Sequence, residues 1–236
     1  MAWVMRRARS RSRPTGYSSR CGGASTRAAF ANAGELHRML IGLVTSQLGK
    51  ERMPSPRWHA GLLFRLDEGR TGPVLLVQSH DRLDLTRIGD GIGEAVERDL
   101  SPFLDGLEKG KKVRYRLAAT PCKRLGKSEK NAERLGDRAR PGLNAYTRPL
   151  YGADADQWWR DRAGRHGLEL REALSSGLGP ALDRGRSGKR EVRLHMTRFD
   201  GYAVIDDPDA VRKAVVEGVG RGKSFGCGML SLALAE

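Results

Sequence analysis

Apolar residues at Leu36, Met39, Leu40, Leu43 and Val44 recur at three- and four-residue spacing. That period predicts an amphipathic helix from about Ala33, with Asn32 placed to cap it. Met53-Pro-Ser-Pro56 ends this unit. Two strands are expected next, Trp58 to Leu66 and Val74 to Gln78, joined as a hairpin by the turn-forming residues Asp67 to Pro73. A short strand near Trp3 precedes the helix, and Gly93 to Leu107 reads as weakly helical, broken at Pro102. Beyond it, Val113, Tyr115 and Leu117 alternate with Arg114 and Arg116 in a strand over Lys111 to Thr120, which sets the arginines on one face. Residues 121–148 read as a long loop. Asp154 to Arg165 forms a helix capped by Asp154. Strands follow at Leu168 to Ala173 and Glu191 to Ile205. Asp206-Asp-Pro208 opens a helix running to Glu217, and Met229 to Leu234 closes the chain as a strand.

The second half therefore runs strand, helix, strand, strand, helix, strand, which is the ferredoxin-like order. The first half shows a poorer version of it. The expected fold is α+β, with two tandem ferredoxin-like (RRM-like) domains over residues 1–107 and 108–236. Residues 6–30 are rich in Arg, Ser, Gly and Thr without apolar period, and read as loop or disorder.

Charge sharpens this picture. The formal net charge of the 236 residues is +15. Residues 1–30 hold seven Arg and no acid, and residues 108–148 carry a net +9, so the remainder is nearly neutral. Excess concentrated in two stretches marks a surface for a polyanion. Cys21, Cys122 and Cys227 form no CxxC pair, which argues against zinc and a disulfide framework. No apolar run reaches the roughly 20 residues of a membrane span. The basic N-terminus lacks the apolar core of a secretory signal; its composition fits an RNA-facing arm and a transit peptide alike. A cytoplasmic protein is expected.

Five glycines fall within Gly218-Val-Gly-Arg-Gly-Lys-Ser-Phe-Gly-Cys-Gly228. Gly220, Arg221, Gly222, Lys223 and Ser224 could cradle phosphate through backbone N–H groups and two cations. A P-loop is excluded. Glu217 stands where that motif requires glycine, and the segment runs from helix to strand.

The run Glu217-Gly-Val-Gly-Arg-Gly-Lys-Ser-Phe-Gly-Cys-Gly-Met-Leu-Ser-Leu232 resembles the C-terminal signature of the CasE family, the CRISPR repeat endoribonucleases of the type I-E Cascade complex. Leu117-Ala-Ala-Thr-Pro-Cys-Lys123, Thr147-Arg-Pro-Leu150 and Leu36-His37 are looser likenesses, and together they cover most of residues 31–236. The resemblance implies tandem ferredoxin-like folds. It implies cleavage of CRISPR precursor RNA at the 3′ base of the repeat stem-loop, without metal or cofactor, leaving a 5′-hydroxyl and a 2′,3′-cyclic phosphate. The implied partners are the repeat stem-loop and other Cascade subunits, with no membrane and no small-molecule cofactor.

Metal-free RNA cleavage uses the substrate's 2′-hydroxyl as nucleophile and needs a base, an acid and cations. Of five histidines, His37 matches the family's catalytic position, beside the apolar stripe and free to face a cleft. His59, His80 and His166 read as surface or packing residues, and His195 as structural. The family commonly has Tyr three residues before the histidine, where this chain has Gly34, so a non-catalytic subunit that caps the guide hairpin stands as the alternative. Lys123, Lys127 and Arg148 are candidates for phosphates near the scissile bond. Arg114, Arg116, Lys130, Arg134, Arg138 and Arg140 would track the stem by shape and charge. Of the adjacent Trp158 and Trp159, one is expected in the core, and the other could stack on a base or meet a neighbouring subunit.

Overall fold

A computed structural model describes residues 2–6, 32–45, 56–69, 72–80, 82–84, 95–125, 146–183 and 192–235. Lys127, Lys130, Arg134, Arg138 and Arg140, and nearly all of the atypical segment 6–30, lie outside the described residues.

The first sheet contains β1 (Ala2–Arg6), β2 (Leu63–Gly69), β3 (Gly72–Gln78) and β4 (Ala95–Arg98) in the order β2-β3-β1-β4. All its pairings are antiparallel, with β1 central between β3 and β4. Helix α1 (Ala33–Thr45) packs Leu36, Leu40, Leu43 and Val44 against Leu62, Phe64, Leu75 and Val77. Asn32 caps it as expected, its Oδ1 accepting from the N–H groups of Gly34 at 3.1 Å and Glu35 at 3.3 Å.

Three expectations in this half are corrected. Trp58 and His59 are not strand residues but belong to the short helix α2 (Pro56–His59). Pro56 suits a first helical turn because its missing N–H would be unpaired there anyway, and its carbonyl accepts from Ala60 N at 3.1 Å. Ala95–Arg98 is a strand rather than helix, because β1 offers it an edge to pair with and pairing overrides a weak local preference. Pro102 does not break a helix; it sits in the first turn of α3 (Ser101–Asp105).

The second sheet holds β5 (Lys112–Ala119), β8 (Leu168–Asp183), β9 (Val192–Ile205) and β10 (Leu230–Leu234) in the order β10-β5-β9-β8. In chain order this is 4-1-3-2, the ferredoxin-like arrangement. Helices α4 (Gly152–Arg165) and α5 (Pro208–Glu217) cover one face, enclosing Tyr115, Leu117, Trp159, Phe199, Ile205 and Val211. Asp207 caps α5, its side chain accepting from Asp209 and Ala210 N–H. Asp154, expected as a cap, lies inside the first turn of α4, which begins at Gly152 after Tyr151.

Both described ends of the loop expected over 121–148 are strands. Strands β6 (Cys122–Leu125) and β7 (Tyr146–Pro149) pair antiparallel, Lys123 opposite Arg148. Strand β8 extends ten residues beyond Ala173 to Asp183 and stays paired with β9 through irregularities at Leu170/Glu172 and Leu178/Ala181. Its outer part is largely exposed and carries Gly177, Gly179 and Pro180, so apolar alternation fades where pairing continues. Both tryptophans are core residues: Trp159 is 0% and Trp158 8% exposed, each stacked near Phe199. Arg162 lies 4.6 Å over the Trp158 ring, which leaves neither tryptophan as a base-stacking platform.

Two buried polar side chains tie the first sheet to the second half. Arg65 of β2, 3% exposed, donates to the carbonyls of Arg116 (3.3 Å) and Met229 (3.2 Å) and to Ser231 Oγ (2.9 Å). Gln78 of β3 donates to the Val215 carbonyl at 2.9 Å.

Candidate active site

His37 follows Leu36 on α1, one residue off the buried stripe, and is half-buried. Its ring stacks on Phe64, with centroids 6.4 Å apart and planes at 18°. Nδ1 is buried without a hydrogen-bond partner among the described residues. Burial, then the positive charges of Arg57 and Arg38, lower His37 from its ordinary value of 6.5, while Asp183 acts in the opposite direction. A neutral imidazole at physiological pH follows, with a lone pair to offer.

The glycine-rich segment reaches the same place. It turns through a single 3-10 turn, Lys223–Phe225, which packs against α1. Phe64, the ring that stacks on His37, also lies under Gly226, where a Cβ would approach it to 3.2 Å. Lys223 is half-buried, and its ammonium is lowered by burial and then by Arg57, with Glu217 opposing. Arg57, from α2, thus acts on both His37 and Lys223. Its Nη1 donates to the Leu62 carbonyl at 3.3 Å. His166 at the end of α4 is lowered by burial, Arg162 and Lys223, with Glu217 opposing, so it too borders this segment.

The five glycines all have positive φ, between +76° and +88°, and they serve packing as much as access. Val219 N–H donates to the Gly228 carbonyl and Gly228 N–H to the Ala118 carbonyl, both at 2.7 Å. Phe225 and Cys227 N–H close on Gly222 O at 2.8 and 3.2 Å. The N–H groups of Gly220 to Ser224 take no part in these bonds. Cys227 is buried and its thiol is pushed up to about 12, so it is an inert packing group. At Gly228 a Cβ would stand 2.7 Å from the Val219 carbonyl oxygen at φ +88°. Gly228→Ala is therefore expected to cost roughly 1–3 kcal/mol in urea unfolding, whereas Gly177→Ala, which meets nothing within 4 Å, should leave the midpoint nearly unchanged.

The other candidates separate into groups. Thr120 Oγ1 donates to the Arg221 carbonyl at 3.4 Å, so the β6–β7 hairpin springs from beside the glycine-rich segment and carries Lys123 and Arg148 with it. Both are exposed, and Arg148 makes one solvent-exposed ion pair with Asp154 at 3.6 Å. Arg221 is exposed, while Gly220, Gly222, Lys223 and Ser224 are half-buried. Arg116 is engaged elsewhere, between Asp200 and Asp67. Arg114 sits opposite Tyr202 on β9, four residues or roughly 13 Å of strand before Ala118. Arg57 and Asp183 escaped the sequence reading. Arg57 stood next to residues expected as strand, and Asp183 lay past the expected end of its strand.

The family model for CRISPR associated proteins matches residues 5–233. The CRISPR-associated endoribonuclease Cse3 of Thermus thermophilus is 28% identical over 226 residues, 89% of this chain and 93% of that protein. A solved structure of Thermus thermophilus Cse3, bound to an RNA representing a pre-cleavage complex, is 25% identical with a TM-score of 0.66 over 98% of both chains. The CRISPR system Cascade subunit CasE of Escherichia coli is 29% identical over 136 residues, 54% of this chain and 60% of that protein. The chain belongs to the CasE family of CRISPR-associated proteins. A chain of a solved structure described as a CRISPR RNA-guided surveillance complex, pre-nicking, is 43% identical. The match covers 99% of this chain and 100% of that one, with a TM-score of 0.65. Its tandem ferredoxin-like architecture is thus the family's. Among the described residues, no helix is long and apolar enough to cross a membrane.

Proposed function

We propose that this chain is an RNA-processing subunit of a Cascade complex. It binds the CRISPR repeat stem-loop and cuts it at the 3′ base with His37 as general base, and the two folds meet near residue 107. The observation that carries this reading is the convergence of a half-buried, neutral histidine with Arg57 and Lys223 beside a glycine-rich turn. The names of the relatives, an endoribonuclease and a Cascade subunit, support the same reading.

His37 takes the proton of the substrate's 2′-hydroxyl, which then attacks the adjacent phosphorus and leaves a 2′,3′-cyclic phosphate. Arg57 and Lys223 steady the charge on the phosphoryl oxygens. Burial raises the acidity of both Arg57 and Lys223, and the Lys223 ammonium, the weaker base of the two, supplies the proton that the 5′ oxygen takes as it leaves. The N–H groups of Gly220 to Ser224 bind phosphate, and Lys123 and Arg148 extend the contact along the β6–β7 hairpin. Acid–base groups suffice for these steps, so cleavage proceeds in EDTA. Gly34 favours a second reading, in which the chain holds the hairpin without cutting it.

RNA binding is tested by titrating the chain's own repeat hairpin against an unrelated RNA of equal length. About six phosphate contacts would lower hairpin affinity roughly 1,000-fold between 50 and 200 mM salt. A flat salt response, or equal affinity for the unrelated RNA, contradicts the proposal.

A further inference from the structure

Gly34 is buried at the first turn of α1, and what covers it is a carboxylate. A Cβ built at Gly34 would fall within the Asp183 carboxyl group, against its Cγ and both oxygens. Asp183 is the last described residue of β8, paired with Val192, and β8 packs against α1. Its Oδ1 stands 3.7 Å from Arg38 Nη1, with both side chains partly exposed. Gly34 and Arg38 are one turn apart on α1 and flank the turn that carries His37. The same carboxylate therefore touches the helix on both sides of the histidine.

The groups facing His37 are otherwise cationic or apolar. Arg38 lies on its own helix, Arg57 on α2 and Phe64 on β2. Two arginines next to a neutral imidazole make it a poor proton acceptor, since the imidazolium that forms would be repelled. One anion within this shell offsets them.

We propose that Asp183 is a positioning residue for His37: the Asp183 carboxylate, seated in the volume that glycine leaves open at residue 34, holds Arg38 and balances the cationic shell so that the imidazole can accept a proton. This rests on His37 being the base, and it explains why residue 34 is small: a larger side chain would expel the carboxylate. The fit of Gly34 to Asp183 accounts for the departure at that position without loss of a proton-accepting site.

The test is an NMR titration of the His37 imidazole Hε1 resonance in the full-length protein, assigned by its disappearance in His37→Gln. In Asp183→Asn the midpoint moves to lower pH, and Asp183→Glu brings it back toward wild type. Gly34→Ala shifts it in the same direction as Asp183→Asn, because the added methyl displaces the carboxylate. Gly42→Ala, on the same helix with nothing within 4 Å of its Cβ, leaves it in place. The acid limb of the single-turnover pH–rate profile follows the imidazole in each variant. A midpoint that stays or rises in Asp183→Asn overturns the proposal, as does a Gly34→Ala variant indistinguishable from Gly42→Ala. Resonances are read whether or not RNA is cut, so failure of the catalytic reading would show separately, as unchanged cleavage by His37→Gln.

Discussion

His37→Ala is expected to slow single-turnover cleavage of the repeat hairpin by roughly 100- to 10,000-fold, the usual range for removing a positioned proton-transfer group. Affinity for the hairpin should change little, because the proposed phosphate contacts rest on other residues. Those are the N–H groups of Gly220 to Ser224 and the side chains of Arg57, Lys123, Arg148 and Lys223. Alanine also removes the ring that stacks on Phe64, so His37→Gln serves as a second variant that fills more of the space. Equal loss in both variants, with binding intact, assigns the effect to proton transfer. A loss below about threefold would remove His37 from the chemistry. Wild type that binds tightly and never cuts would establish the hairpin-holding alternative.

Arg65→Ala should be the most destabilising of the substitutions considered, at about 3–5 kcal/mol, because it breaks a buried charge pair from one side. The guanidinium is bound to Asp67 at 2.8 and 3.0 Å and at the same time to the Arg116 and Met229 carbonyls and Ser231. Its loss leaves Asp67, among the described residues, with the longer Arg116 contact at 3.6 Å and three acceptors of the second half without this donor. Urea unfolding followed by tryptophan fluorescence measures the change. Arg65→Leu with Asp67→Leu should lose less than Arg65→Ala, since no charge is then stranded. A cost below about 1 kcal/mol for Arg65→Ala would show that the sheets do not depend on this junction.

Arg65 also shows why the sequence was legible only in part. Between Phe64 and Leu66 it reads as the solvent side of a half-buried strand. Period-2 alternation distinguishes the two faces of a strand, but it carries no information about what covers the second face. Here the second sheet does, and the polar side chain is an inter-sheet tie. The C-terminal fold was readable because each element had a local signal: Asp207 with Pro208 to open α5, and Tyr115 alternating between arginines in β5. Strand β4 had no such signal, as its identity comes from pairing with β1 far away in sequence. At the site, His37 and Lys223 were found through the resemblance and the glycine run. Arg57 lay among prolines without a pattern of its own, and Asp183 lay past Ala173, where the strand was expected to end. Both gain meaning only from contacts across the fold. The glycine run itself was read as a ligand cradle, yet much of its backbone is engaged in packing against β5 and Phe64.

We propose that this chain cuts repeat RNA by acid–base chemistry at His37. Incubating the purified protein with its own repeat RNA in EDTA, beside His37→Ala, and identifying the new ends by mass spectrometry tests it most directly. Wild type should make one cut at the 3′ base of the stem, with a 2′,3′-cyclic phosphate on the upstream product and a 5′-hydroxyl on the other, and the variant should give little product. Cleavage that requires a divalent ion, or equal cleavage by His37→Ala, would contradict it.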